Sequence, residues 1–121
     1  MKFVSLSSLT LLLAAALIAT GCGGPKGTVL GKNPEGAIYD SLAIRAGDTP
    51  SELLIQGKLV EKCPQAGCWF RVQDGSGIVK VDTKTAGFVV TDVPLETVVT
   101  VAGKLVMEGE EQVLQATGLR Y

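Results

Sequence analysis

Two cysteines and the chain's only tryptophan fall in one stretch, Cys63-Pro64-Gln65-Ala66-Gly67-Cys68-Trp69. Two thiols at this spacing have three chemistries open to them. They can close a disulfide, because Pro64 and Gly67 favour a turn that brings the Cα atoms within the roughly 4.4–6.8 Å the bond requires. They can cycle as a redox pair, although thioredoxin-like exchange uses Cys-x-x-Cys. Lys58, Lys62 and Arg71 are the cations that would favour a thiolate there if they came close. They can also hold a soft metal. Two thiolates suit copper as Cu(I); zinc needs two further ligands, for which Glu61 or Asp74 would be candidates. As a disulfide, a loop this small contributes about 2 kcal/mol by chain entropy. Against a total stability of roughly 5–15 kcal/mol that is a useful staple.

The rest of the inventory argues against an enzyme. The chain has no histidine. Ser-His-Asp and Cys-His catalysis and imidazole-bound zinc are therefore excluded. The carboxylates Asp74, Asp82, Asp92, Glu108, Glu110 and Glu111 fall mostly in turns, where such side chains are simply solvated. Gly75 and Gly77 are hairpin residues rather than a phosphate loop, because no helix start follows them.

The elements that must position the cysteines read as strands. Five candidates cover 52–62, 68–73, 78–82, 97–108 and 112–119. Asp74-Gly75-Ser76-Gly77 makes the hairpin between the second and third. Gly109-Glu110-Glu111 turns the chain into the fifth. Gly57-Lys58-Leu59-Val60 recurs as Gly103-Lys104-Leu105-Val106, which predicts two long strands bent at equivalent glycines, as a small closed barrel requires. Residues 83–96 break the alternation and predict a short helix or an irregular crossing. Three strands, a crossing and two strands is the order of an OB-fold. A sandwich would want about seven strands, more than this chain can supply. The expected fold class is all-β, a five-stranded OB-like barrel.

Alternation along the second strand places Phe70 and Val72 inside, with Val79 and Val81 of the third. Trp69 and Arg71 then lie outside, with Lys80 nearby. In OB-folds this face and the first loop are where ligands bind. An aromatic flanked by cations can stack a base or a sugar ring, worth about 1–3 kcal/mol for a base. The plain alternative is that Trp69 packs on the cysteine loop or under residues 37–47, which read as a strand, a helix or a lid.

The first residues are not fold. Lys2 is followed by an apolar run from Leu6 to Ile18, shorter than the roughly 20 residues a membrane span needs. Length and flanks fit a secretory signal peptide. Its end, Ile18-Ala19-Thr20-Gly21-Cys22, resembles the lipobox of bacterial lipoproteins, with Ala19 where Leu, Val or Ile is usual. The resemblance implies cleavage before Cys22 and a diacylglycerol on its thiol. Gly23, in place of Asp, implies the periplasmic face of the outer membrane where there are two membranes. Residues 1–21 are then the signal peptide, 22–51 a lipidated cysteine with a Gly/Pro-rich tether and N-terminal extension, and 52–121 the barrel. With Cys22 given to lipid, the other two thiols stand on the exported side, where disulfides persist. Cleavage removes Lys2 from the 11 basic residues and none of the 12 acidic ones, taking the net charge from −1 to −2. A polyanion binder carries a basic excess, so nucleic acid is an unfavoured partner despite the fold.

The run Gln56 to Cys63, with Cys68-Trp69, Gln73-Asp74-Gly75 and Gly87-Phe88-Val89-Val90, resembles a family of small exported bacterial OB-like proteins of unknown function that carry Cys-x4-Cys-Trp. Val89 stands where that family usually has an aromatic, and its basic pair inside the cysteine loop is absent here. The resemblance implies fold and export, and no activity. The function expected is a non-enzymatic, membrane-anchored envelope lipoprotein binding a protein or small ligand over the cysteine loop and Trp69. The alternative is redox or copper/zinc handling through Cys63 and Cys68.

Overall fold

The computed structural model describes residues 27–65 and 67–121. The signal peptide expected over residues 1–21 and the lipidation expected at Cys22 lie outside the described residues. Chain order is β1 (Val29–Gly31), α1 (Ser41–Ala46), β2 (Glu52–Lys62), β3 (Trp69–Asp74), β4 (Gly77–Asp82), β5 (Val98–Glu108) and β6 (Glu111–Arg120). Strands β2 to β6 close into a five-stranded barrel of OB order. β2 pairs with β3 and β5, β3 with β4, β5 with β6, all antiparallel, and β4 closes on β6 in parallel. Each expected strand is present, with ends shifted by at most one residue.

Period-two alternation explains the core. Phe70, Val72, Val79 and Val81 are buried inside with Leu53, Ile55, Leu59, Val99, Val101, Leu114 and Leu119. Two glycines let long strands serve two neighbours. β2 pairs with β5 from Glu52 to Lys58 and with β3 from Lys58 to Lys62. At Gly57 an added Cβ would strike the Gln73 carbonyl, and at Gly103 it would strike the Gln115 carbonyl. The repeated Gly-Lys-Leu-Val thus marks two equivalent bends.

Two regions differ from, or resolve, the sequence reading. Part of the Gly/Pro-rich tether expected after Cys22 is a strand, because Val29, Leu30 and Gly31 pair with Arg120, Leu119 and Gly118 of β6. The free backbone groups of β6 beyond its pairing with β4 recruit them. Residues 37–47 take two forms: Ile38 bridges Leu54, and α1 follows with Asp40 as its N-cap and Gly47, at φ 77°, as its C-cap. α1 is tied to the β3–β4 hairpin through Asp74, which accepts from Ser41 N–H at 2.8 Å and from Ser76 N–H at 2.8 Å. The crossing 83–97 is irregular, turning through Ala86 N–H to Thr83 O and Val93 N–H to Val90 O.

Candidate functional site

The Cys63–Cys68 loop joins β2 to β3 at one end of the barrel, and the backbone fixes both of its stems. Cys63 N–H donates to Trp69 O at 2.9 Å, and Thr83 N–H donates to Cys68 O at 2.8 Å. Gly67 seats the loop on the crossing. Its carbonyl accepts from Val90 N–H and from the Thr83 hydroxyl, each at 3.3 Å. Its φ of 63° favours glycine, and an added Cβ would lie 2.9 Å from Thr91 N. The two thiols are brought together without a bond between them: Cys68 Sγ donates to Cys63 Sγ at 3.4 Å. That hydrogen bond raises the Cys68 pKa, and burial adds to the rise; Lys84 acts weakly in the other direction.

The cations expected to favour a thiolate are engaged elsewhere. Lys62 Nζ donates to Thr91 O at 3.1 Å and Val93 O at 2.7 Å. Lys58 faces Glu96, and Arg71 is held by carboxylates. The carboxylates considered as zinc ligands are occupied too, Glu61 by Arg71 and Asp74 by Ser41 and Ser76. Among the described residues no three Cys, Asp or Glu side chains gather as a metal site. The donor set for a metal is therefore two thiols, which fits Cu(I) and not zinc.

Two open grooves flank the thiols. One of about 440 Å³ is lined by Cys68, Thr83, Lys84, Gly87, Phe88 and Val89. The other, about 310 Å³, is lined by Lys62, Cys63, Pro64, Gly67, Thr91 and Leu95. Periodicity along β3 did not reveal them, because both depend on the crossing.

Trp69, Arg71 and Lys80 come together on the outer wall. Arg71 and Lys80 are direct cross-strand partners, and Trp69 is two residues up the same face of β3. The Arg71 guanidinium and the Lys80 ammonium each lie 5.4 Å from the Trp69 ring centroid, within cation–π range. Sequence reasoning missed the carboxylates that surround them. Arg71 Nε donates to Glu61 Oε1 at 3.1 Å and Arg71 Nη1 to Glu111 Oε2 at 3.2 Å. Lys80 Nζ lies 3.8 Å from Glu108 Oε1. The wall thus sets two cations against three carboxylates around one indole, poor in the unpaired positive charge a polyanion would require.

No protein-family model matches the chain, and no curated protein does. Among solved structures the chain is similar to the hypothetical protein ygiW from E. coli, at 16% identity with a TM-score of 0.55, over 72% of this chain and 91% of that one. At this identity the likeness concerns the fold alone, and it supports the small β-barrel.

Proposed function

We propose that the protein is a non-enzymatic envelope lipoprotein, anchored by lipid on Cys22, whose OB-like barrel binds a protein partner or small ligand over the Trp69 wall and the adjoining cysteine loop. The observation that supports this reading most is the Trp69 ring, half-buried with Arg71 and Lys80 at 5.4 Å, on the face OB-folds use for ligands. A planar ring with fixed, neutralised charges beside it suits a ligand with a flat face and polar edges, such as a sugar or a peptide side chain. The lipobox resemblance at Cys22 supports the anchor. The test is capture from solubilised envelope with wild-type protein and a Trp69→Ala/Arg71→Ala variant, each checked for folding by its melting curve. A partner retained by the first and lost by the folded variant supports the site. Equal capture by both refutes it.

The thiol pair favours a second reading of the same end. At 3.4 Å the sulfurs are one small movement from a bond. In the exported compartment we expect them to close by exchange with an external protein disulfide. The two thiols lose two protons and two electrons, and the external disulfide leaves as a dithiol. A closed, inert pair would be a staple for the loop. A pair that reopens with a partner's dithiol would make the loop a redox site, and bound copper in the purified protein would make it a metal site.

A further inference from the structure

The barrel has two unlike ends. β2, β4 and β6 finish, and β3 and β5 begin, at the end that holds the cysteine loop and the crossing 83–97. β1 enters at this same end. Thr28 N–H donates to Tyr121 O at 2.6 Å, and Tyr121 N–H donates to Thr28 O at 2.9 Å, so Gly27, the first described residue, stands at this end. β1 also touches the crossing, since a Cβ on Gly31 would meet the Phe88 ring at 2.8 Å.

Between Gly27 and Cys22 there are only five residue steps, at most about 17 Å of fully extended chain. β2 and β5 have 11 residues each, about 36 Å at strand rise. A lipid on Cys22 therefore holds the crossing end nearer the bilayer than the opposite end, even though strand tilt and the bends at Gly57 and Gly103 make the barrel shorter than these strands. Large apolar side chains stand exposed at the held end: Val29 at 41%, Val89 at 47%, Leu95 at 52% and Val98 at 57%. Exposure alone does not select this end, because Leu42, Ile78 and Met107 are exposed at the other. Charge and reach select it. The held end has Lys58, Lys62, Lys84 and Arg120 against Asp82, Asp92 and Glu96, one net positive charge, while at the far end the Glu108, Glu110, Glu111 turn outnumbers the Arg71 and Lys80 paired to it by one. An anionic leaflet attracts the first and repels the second.

We propose that the barrel docks on the lipid surface by its crossing end, with Val29, Val89, Leu95 and Val98 set into the headgroup boundary. This rests on the lipid anchor proposed above. It deepens that reading, because the cysteine loop then sits at headgroup height and the Trp69 wall rises directly from the membrane. The site's partner is one met at the bilayer surface, and a tryptophan beside Arg and Lys is suited to that position.

The test uses the full chain purified from membranes, with its mass read for lipid on Cys22, in vesicles of zwitterionic and anionic phospholipids with brominated acyl chains. Bromine quenches nearby tryptophan. Two probes are placed in a Trp69→Phe background, Val98→Trp at the held end and Met107→Trp at the far end. Both native side chains are exposed. If Trp69→Phe unfolds the chain, each probe is read as the increment over the native tryptophan signal. The probe at 98 is expected to lose about half its emission or more and the probe at 107 essentially none. Adding Val89→Asp and Leu95→Asp should return position 98 to the level of 107. A lipidated chain in which 98 and 107 are quenched alike overturns the docking and leaves the anchor standing. So does an unquenched position 98 in a chain that runs as a dimer, which would assign the patch to a second copy. A chain without lipid on Cys22 removes the short connection and overturns both readings.

Discussion

Asp74 fastens α1 to the β3–β4 hairpin, and replacing it tests whether that fastening is electrostatic. Its carboxylate lies within hydrogen-bond distance of five donors: Ser41 N–H at 2.8 Å, Ser41 Oγ at 3.1 Å, Ser76 N–H at 2.8 Å, Ser76 Oγ at 2.9 Å and Gly77 N–H at 3.0 Å. Burial alone would raise the carboxyl pKa. The Ser76 and Ser41 amides, then their hydroxyls, outweigh it and hold the pKa below the usual range. In Asp74→Ala the amide of Ser41, a residue only 1% exposed, loses its acceptor. That costs roughly 1–3 kcal/mol, and the half-buried Ser76 and Gly77 amides add about 0.5–1 kcal/mol each. A total near 3 kcal/mol would lower Tm by roughly 12–24 °C in a domain of this size. Asp74→Asn keeps one acceptor oxygen and loses the charge, so about 1–2 kcal/mol is expected. The pH dependence carries the sharper test. A carboxyl with a depressed folded pKa contributes its full stability above the unfolded pKa of about 3.9 and loses it as pH falls through the folded value. Urea melts at a series of pH values should show wild type ahead of Asp74→Asn by a constant margin above pH ~4.5, closing progressively below pH ~4. A margin that stays the same down to pH ~2, or a neutral Asp74→Ala, would mean that the Asp74 carboxylate does not hold α1 to the hairpin.

Other outcomes follow from the same geometry. Gly57→Ala and Gly103→Ala should each cost about 1–3 kcal/mol or more, because the new methyl meets a neighbouring strand's backbone, while Gly75→Ala, with open space around it, should fall within about 0.5 kcal/mol of wild type in the same urea melts. Phe70→Ala should remove about 3–5 kcal/mol from the fully buried centre of the barrel, read by calorimetry. Cys68→Ser should cost about 2 kcal/mol relative to oxidised wild type and much less relative to wild type kept in reductant, since only the closed loop restrains the unfolded chain. Arg71→Ala should change stability by less than about 1 kcal/mol, less still in high salt, because its ion pairs with Glu61 and Glu111 are at the surface.

The barrel was legible because its signals are local. Alternation along β3 and β4 gave the inside and outside of Phe70, Val72, Trp69, Arg71 and Lys80, and a repeated glycine marked both bends. β1 was not legible, because Val29-Leu30-Gly31 is three residues among glycines and is a strand only through β6, some 90 positions away. α1 is six residues long and depends on Asp74, 33 positions from Ser41. The wall's carboxylates Glu61, Glu111 and Glu108 come from three different strands, so no spacing along the chain announces them. The closeness of the two thiols followed from Pro64 and Gly67. What the cations beside them do depended on the crossing, which takes Lys62 away and leaves Lys84 near Cys68.

The lipid anchor proposed on Cys22 and the closure proposed for the cysteine loop are both read from the intact mass of the full chain, purified from membranes without reductant, with a thiol count on the same sample. A chain that begins at Cys22, carries acyl mass on that residue, is two hydrogens light and reacts with no thiol reagent is expected. A chain that keeps residues 1–21 without lipid would overturn the anchor, and one with two reactive thiols would overturn the closure.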